Sequence, residues 1–213
     1  MKKLFLASFF TEVACLLPNF VGEDVAGKKV AFIPTAAVYP CDDAETKETL
    51  EFITKSDRAA LQSLGLIVEN LEVSSVSAKT VEESILNADY IFVGGGDTFF
   101  LMQELRRKSA DKLISEHIRK GKLYMGTSAG SLLMQKDIVA DGVENPELSP
   151  DLNGDFTALG FIDFYLYVHY GSNFWGDDDE YIRKFYAELD YVKISDKQAV
   201  TVAGDKVEVI TTP

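Results

Sequence analysis

Histidine is scarce in this chain: 213 residues contain two, His117 and His169. Cysteine is equally scarce, and Cys15 and Cys41 lie far apart with no Cys-x-x-Cys spacing. Two separated histidines and no cysteine pair make no N/S ligand set, so no metal site is expected. The cysteines read as two reduced thiols rather than a disulfide framework. Positive charge is also short, with 21 Lys and Arg against 34 Asp and Glu and a net charge of −13. Such a chain repels polyphosphates and anionic bilayers, so neither a nucleic acid nor a membrane is expected as a partner. No apolar run approaches the roughly 20 residues of a membrane span. Met1-Lys-Lys followed by Leu4 to Phe10 imitates a secretory leader. The run is broken by Thr11 and Glu12 and has no convincing cleavage site before Pro18. A first strand leading into a helix fits better, and a cytoplasmic location follows by elimination.

What is present is a balanced globular composition, 46% apolar and 26% charged, long enough for one α/β domain over residues 1–213. Lys3 to Ala7 reads as a strand, and Thr11 to Phe20 as a helix limited by Pro18. Lys29-Val-Ala-Phe-Ile-Pro-Thr35 is a continuous apolar run, the mark of a parallel strand buried on both faces. Asp42 to Leu64 is helix-periodic and closed by Gly65. Leu66 to Leu71 is a strand, Thr80 to Asn87 a helix, and Tyr90 to Val93 a strand. Phe99 to Arg107 and Asp111 to Lys120 are helices. Strands alternating with helices over residues 1–135 predict a three-layer, mostly parallel sheet with helices on both faces. Beyond it, Leu159 to Ile162 and Leu166 to His169 read as short strands and Asp177 to Leu189 as a helix. Ala199 to Ala203 and Lys206 to Ile210 read as a small C-terminal β-hairpin about Gly204-Asp205.

Three features carry chemistry. In Lys122-Leu-Tyr-Met-Gly-Thr-Ser-Ala-Gly130 an apolar strand breaks into Gly-x-Ser-x-Gly and enters a helix. A strand-to-helix reversal this tight needs glycine on both sides of a strained central residue, and it lifts the Ser128 hydroxyl above the sheet edge. The plain alternative is a glycine-rich turn with a helix-capping serine. Val93-Gly-Gly-Gly-Asp-Thr98 is a second strand-to-helix glycine loop. It lacks a P-loop lysine and GxGxxG spacing, so it reads as backbone N–H groups brought close to a ligand carbonyl. His117, in a charged helix end, reads as a solvated surface residue. His169, in Val168-His-Tyr-Gly-Ser-Asn173, ends a strand, where parallel sheets place active residues. If Ser128 is a nucleophile, His169 is the candidate base. The orienting carboxylate is open among Asp137, Asp141, Glu144, Glu147, Asp151, Asp155 and Asp163.

With these pieces in order, joined by Leu4-Phe-Leu-Ala-Ser8 and Phe32-Ile-Pro-Thr-Ala-Ala37, the chain resembles the S51 serine peptidases, the group of peptidase E (aspartyl dipeptidase) and cyanophycinase. The resemblance spans roughly residues 1–175. It implies a class I glutamine amidotransferase-like, flavodoxin-like α/β fold and hydrolysis of short peptides through an acyl-enzyme, with no cofactor. It implies Ser128 as nucleophile, His169 as base, and the amides of Ala129 and of Gly95 or Gly96 as the oxyanion hole. The family's acid falls about fifteen residues after the serine, which implies Glu144, with Asp141 as the fallback and a Ser-His-Glu triad. Asp97, Thr98, Tyr170, Asn173 and Arg183 are the implied substrate contacts. The proline usual before the histidine is here Val168. Peptidase E reads an N-terminal aspartate through an arginine beyond the histidine. The matching stretch here, Gly176-Asp-Asp-Asp-Glu-Tyr-Ile-Arg183, carries three aspartates that would repel an acidic side chain, with Arg183 as a replacement. Competing expectations are a cyanophycinase-type amide hydrolase and a catalytically idle ligand-binding or regulatory member of the fold. A monomer or a homodimer is expected.

Overall fold

A computed structural model describes residues 1–141, 149–172 and 176–212, apart from the side chain of residue 141. Five parallel strands form the centre: β1 (Lys3–Ala7), β2 (Lys29–Ile33), β3 (Ile67–Asn70), β4 (Tyr90–Val93) and β5 (Leu123–Thr127). Two antiparallel strands, β8 (Gln198–Ala203) and β9 (Lys206–Thr211), extend the sheet to the order β3-β2-β4-β5-β1-β8-β9. A separate parallel pair is formed by β6 (Tyr165–Tyr167) and β7 (Tyr191–Lys193). The helices are α1 (Phe10–Val13), α2 (Leu17–Val21), α3 (Ala44–Ser63), α4 (Ala78–Asn87), α5 (Thr98–Arg107), α6 (Ala110–Arg119), α7 (Ala129–Leu132) and α8 (Asp178–Phe185). Among the described residues no helix is long and apolar enough to cross a membrane.

The apolar runs are strands because both faces of the sheet are covered. Leu4 and Leu6, Ala31 and Ile33, Ile91 and Val93 enter one core cluster. Their neighbours Phe5 and Ala7, Val30 and Phe32, Tyr90 and Phe92 enter the cluster on the other face. A two-residue period with both faces apolar has no solvated side to show, which is why these strands read as unbroken hydrophobic stretches.

Three expectations change. The helix expected over 11–20 is two short helices joined by a turn at Ala14–Leu16, with Pro18 early in the second, where its missing N–H is harmless. Leu159 to Ile162 form no strand. Their amides instead bond to the carbonyls of Leu133, Gln135 and Met134, lashing the segment to the turn after α7. The C-terminal hairpin forms as expected and joins the main sheet, where β8 pairs with β1 from Lys3↔Ala203 to Ala7↔Ala199. His117 is not solvated. It lies one turn from Ile114 on the face of α6 turned to the sheet and is 4% exposed. Its Nε2–H donates to the Leu123 carbonyl at 3.2 Å. Burial pushes its pKa down to about 4, against the pull of that carbonyl, so the ring is neutral at pH 7.

A buried carboxylate supports the helix that walls the site. Asp57 of α3 is 1% exposed and accepts a hydrogen bond from Thr11 Oγ1 of α1 at 3.0 Å. Burial pushes its pKa up from 3.8 to about 7, offset in part by Thr11. The folded chain therefore keeps a proton that the unfolded chain has already released. Stability from this group is complete below about pH 4 and is lost as pH rises toward 7, by on the order of 4 kcal/mol. Asp57→Asn keeps an acceptor for Thr11 and has no charge to bury. In urea unfolding the variant is expected to exceed the wild type at pH 8 and to converge with it near pH 4. A stability difference that does not vary with pH would refute the assignment.

Candidate active site

Four strand ends converge at one edge of the sheet. The register Leu6↔Gly126 and Val93↔Gly126 levels the C-terminal ends of β1, β4 and β5, and Ile33↔Val93 adds β2. Ser8, Gly94 to Gly96 and Ser128 therefore emerge side by side, where open parallel sheets bind ligands.

Ser128 has φ 48° and ψ −119°, a conformation that costs a non-glycine residue about 1–3 kcal/mol. Its neighbours hold it there. A Cβ on Gly126 would lie 2.5 Å from the Gly130 carbonyl oxygen, and one on Gly130 would lie 2.1 Å from that of Val93. Only glycine fits at either place, so the Gly-x-Ser-x-Gly spacing is steric. The Ser128 amide donates to the Ala7 carbonyl at 3.1 Å, and Ser131 Oγ donates to the same carbonyl at 2.7 Å. The glycine loop after β4 meets the serine: a Cβ on Gly95 would lie 3.1 Å from Ser128 Cβ. Gly96 has φ 135°, and a Cβ there would lie 2.1 Å from the Ala36 carbonyl oxygen.

His169 Nε2 lies 3.0 Å from Ser128 Oγ, and its Nδ1 lies 2.6 Å from Asp196 Oδ1. The carboxylate accepts at Nδ1, which places the ring proton there and leaves the Nε2 lone pair facing the serine hydroxyl. Burial pushes the Asp196 carboxyl up. The hydrogen bond and charge of His169 and the hydroxyl of Ser8 outweigh it and hold the group below the ordinary carboxylate range. Glu144, expected as the acid, lies outside the described residues, as does Asn173, and so does the side chain of the fallback, Asp141. The place at Nδ1 that was assigned to Glu144 is taken by Asp196.

Asp196 was missed because the search for an acid stopped at the histidine. The structure brings it back by two pairings. Parallel β6 and β7, with Tyr167↔Lys193, put the residues after both strands at the same end. Antiparallel β8 then runs beside β1, so the residues before β8 lie at the C-terminal end of β1, next to Ser8. The strand-end rule that singled out His169 would have marked Asp196 as well, had β7 been recognised.

A cavity of about 500 Å³ is lined by Ser8, Ser128 and His169, by Gly95 to Thr98, and by Asp43, Glu45, Thr46, Leu50 and Ile53 from the start of α3. Asp97 lines it while capping α5 through a 2.7 Å bond from the Phe100 amide. Burial pushes its carboxyl up, and the amides of Phe100 and Phe99 oppose that. Two of the expected substrate contacts do not line this cavity. Tyr170 packs against Tyr167, with Lys193 Nζ 4.0 Å from its ring centre. Arg183 is exposed on α8, its Nε donating to the Asp179 carbonyl. Among the described residues no cluster of His, Cys, Asp and Glu could hold a metal ion.

The model of peptidase family S51 matches residues 5–210 of this chain. This chain is an S51 peptidase. An uncharacterised peptidase of Listeria monocytogenes is 36% identical over 209 residues, 97% of each protein. One from Pasteurella multocida is 37% identical over 175 residues, 82% of this chain and 79% of the relative. A peptidase E of Shewanella amazonensis is 38% identical over 107 residues, 50% of this chain and 44% of that protein. The crystal structure of a peptidase E candidate from Listeria monocytogenes superposes with a TM-score of 0.87 at 34% identity, covering all of both chains. The fold is also that of a peptidase from an acI-B1 Actinobacterium, TM-score 0.68 at 18% identity, over 100% of this chain and 88% of the other. In this S51 peptidase the carboxylate that faces His169 Nδ1 is Asp196, in the turn between β7 and β8.

Proposed function

We propose that this peptidase is a serine enzyme that hydrolyses short peptides through Ser128, His169 and Asp196. The observation that carries the reading is the chain of contacts from Ser128 Oγ through both imidazole nitrogens to Asp196, at 3.0 and 2.6 Å. His169 Nε2 takes the hydroxyl proton as Oγ attacks the peptide carbonyl. Asp196 stabilises the imidazolium that forms. The developing oxyanion is met by the amides of Ala129 and of Gly95 or Gly96, fixed by the elbow and by the loop after β4. His169 then donates its proton to the leaving amine, and water repeats the sequence on the acyl-enzyme.

The cavity favours a neutral or basic residue over aspartate on the α3 side. Asp43 and Glu45 line it, and no Lys or Arg does among the described residues. Asp43 is held below the ordinary carboxylate range by the side chain and amide of Thr46, so it is charged at neutral pH. An acidic side chain there would meet like charge with no cation to receive it. Initial rates on a panel of dipeptides test the reading. Ala-X and Lys-X are expected to be cleaved at least about 10-fold faster than Asp-X, the worth of about 1.4 kcal/mol of repulsion. Fastest cleavage of Asp-X would overturn the charge argument. Cleavage of no peptide would favour an idle ligand-binding protein.

A further inference from the structure

We infer that Ser8 is a positioning residue for the site, a fourth member that fixes both His169 and Asp196. The inference rests on the proposed roles of those two residues. Ser8 is fully buried at the end of β1. Its hydroxyl donates to Asp196 Oδ1 at 2.8 Å, the oxygen that also faces His169 Nδ1. The same hydroxyl oxygen accepts the His169 backbone N–H at 2.7 Å. A serine hydroxyl has one proton and two lone pairs, and this pattern uses the proton on the carboxylate and a lone pair on the amide.

The second bond matters because of the backbone. His169 has φ 60°, in the left-handed region that a histidine seldom adopts. The amide bond to Ser8 holds that conformation and turns the imidazole back toward Ser128. Ser8 itself is placed by the main sheet, since its amide donates to the Gln198 carbonyl at 3.3 Å and its carbonyl accepts from Thr127 Oγ1 at 3.3 Å. One hydroxyl thus ties the loop after β6 and the loop before β8 to the strand beside the elbow. Without it, the His169 amide and the Asp196 carboxylate both lose their bond to the residue after β1.

Ser8→Ala removes both bonds and deletes none of the reacting atoms. Loss of hydrogen bonds to a charged group predicts a fall in kcat of about 10- to 100-fold, with KM changed by less than about twofold. The carboxylate that loses its donor becomes more basic and stabilises the imidazolium further, so the acid limb of the kcat profile is expected to move to higher pH. A second readout needs no turnover. The Nδ1 proton between His169 and Asp196 should give a low-field proton resonance in the wild type that shifts or broadens in Ser8→Ala. The effect of Ser8→Ala should also shrink in an Asp196→Asn background, because the two residues act as a unit. An unchanged kcat, pH limb and resonance in a folded Ser8→Ala would refute the positioning role while leaving the proposed function standing. A wild type that cleaves no peptide but shows the Ser8-dependent resonance would refute the function and keep the positioning. Should Ser8→Ala not fold, Ser8→Cys, of similar volume and with a weaker donor, is read by the same measurements. Wild-type values there would refute the inference.

Discussion

Ser128→Ala is expected to lower peptidase activity by roughly 10,000-fold or more with little change in the urea midpoint. The large effect follows from the role. Alanine leaves the cavity, the amides of Ala129 and Gly95 and the imidazole in place but offers no atom to acylate. What remains is the modest catalysis that oxyanion stabilisation and binding supply to a water attack. The small effect on stability follows from the backbone: the strain at φ 48° is set by Gly126 and Gly130, which a change of side chain at 128 does not touch. A fluorophosphonate should add one adduct to the wild type, located by mass spectrometry on the peptide containing Ser128, and none to the variant. Equal hydrolysis by both proteins would end the case for Ser128 as nucleophile, and an adduct elsewhere would name its replacement.

Asp196→Asn is expected to cost on the order of 1,000- to 10,000-fold in kcat, whereas Glu144→Gln should stay within about twofold. The asparagine is nearly isosteric, but one atom faces both Ser8 and Nδ1, and it can be the amide oxygen or the NH₂, not both. The asparagine cannot balance an imidazolium, and its NH₂ can turn to Nδ1 and draw out the tautomer that carries its proton on Nε2. That proton would point at Ser128 and block the general base, the effect measured when the triad aspartate of other serine peptidases is amidated. Asp196→Glu should recover part of the loss. The reverse pattern, a silent Asp196→Asn and a crippled Glu144→Gln, would restore the acid implied by the fifteen-residue spacing. The pair of variants therefore decides between an Asp and a Glu triad.

The elements that were legible in the sequence are those whose cause is local. Strand Tyr90 to Val93 could be read because four apolar residues run straight into three glycines. The elbow could be read because Gly126 is demanded by the Gly130 carbonyl within the same reversal, although the demand for Gly130 itself comes from Val93 on β4. Where long-range pairing decided, local reading fell short. Nothing in Tyr191-Val-Lys193 says that it pairs with Tyr165 to Tyr167. Nothing in a hairpin of alternating valines says that its first strand lies along β1. His117 was misplaced for a related reason: charged neighbours on α6 hid that position 117 shares the buried face of Ile114.

By itself, then, the sequence determined the α/β layering, the strained serine turn and the identity of the one histidine placed at a strand end. Each follows from steric and hydrophobic rules acting over a few residues. The tertiary structure decided which carboxylate faces that histidine and what holds it. Asp196 lies 27 positions beyond His169 and 188 beyond Ser8 in the chain. Only the parallel pairing of β6 with β7 and the antiparallel return of β8 along β1 bring the three within hydrogen-bond reach. A carboxylate's partner is set by where strands end in space, and in a chain with 34 acidic residues spacing alone has no means to choose among them.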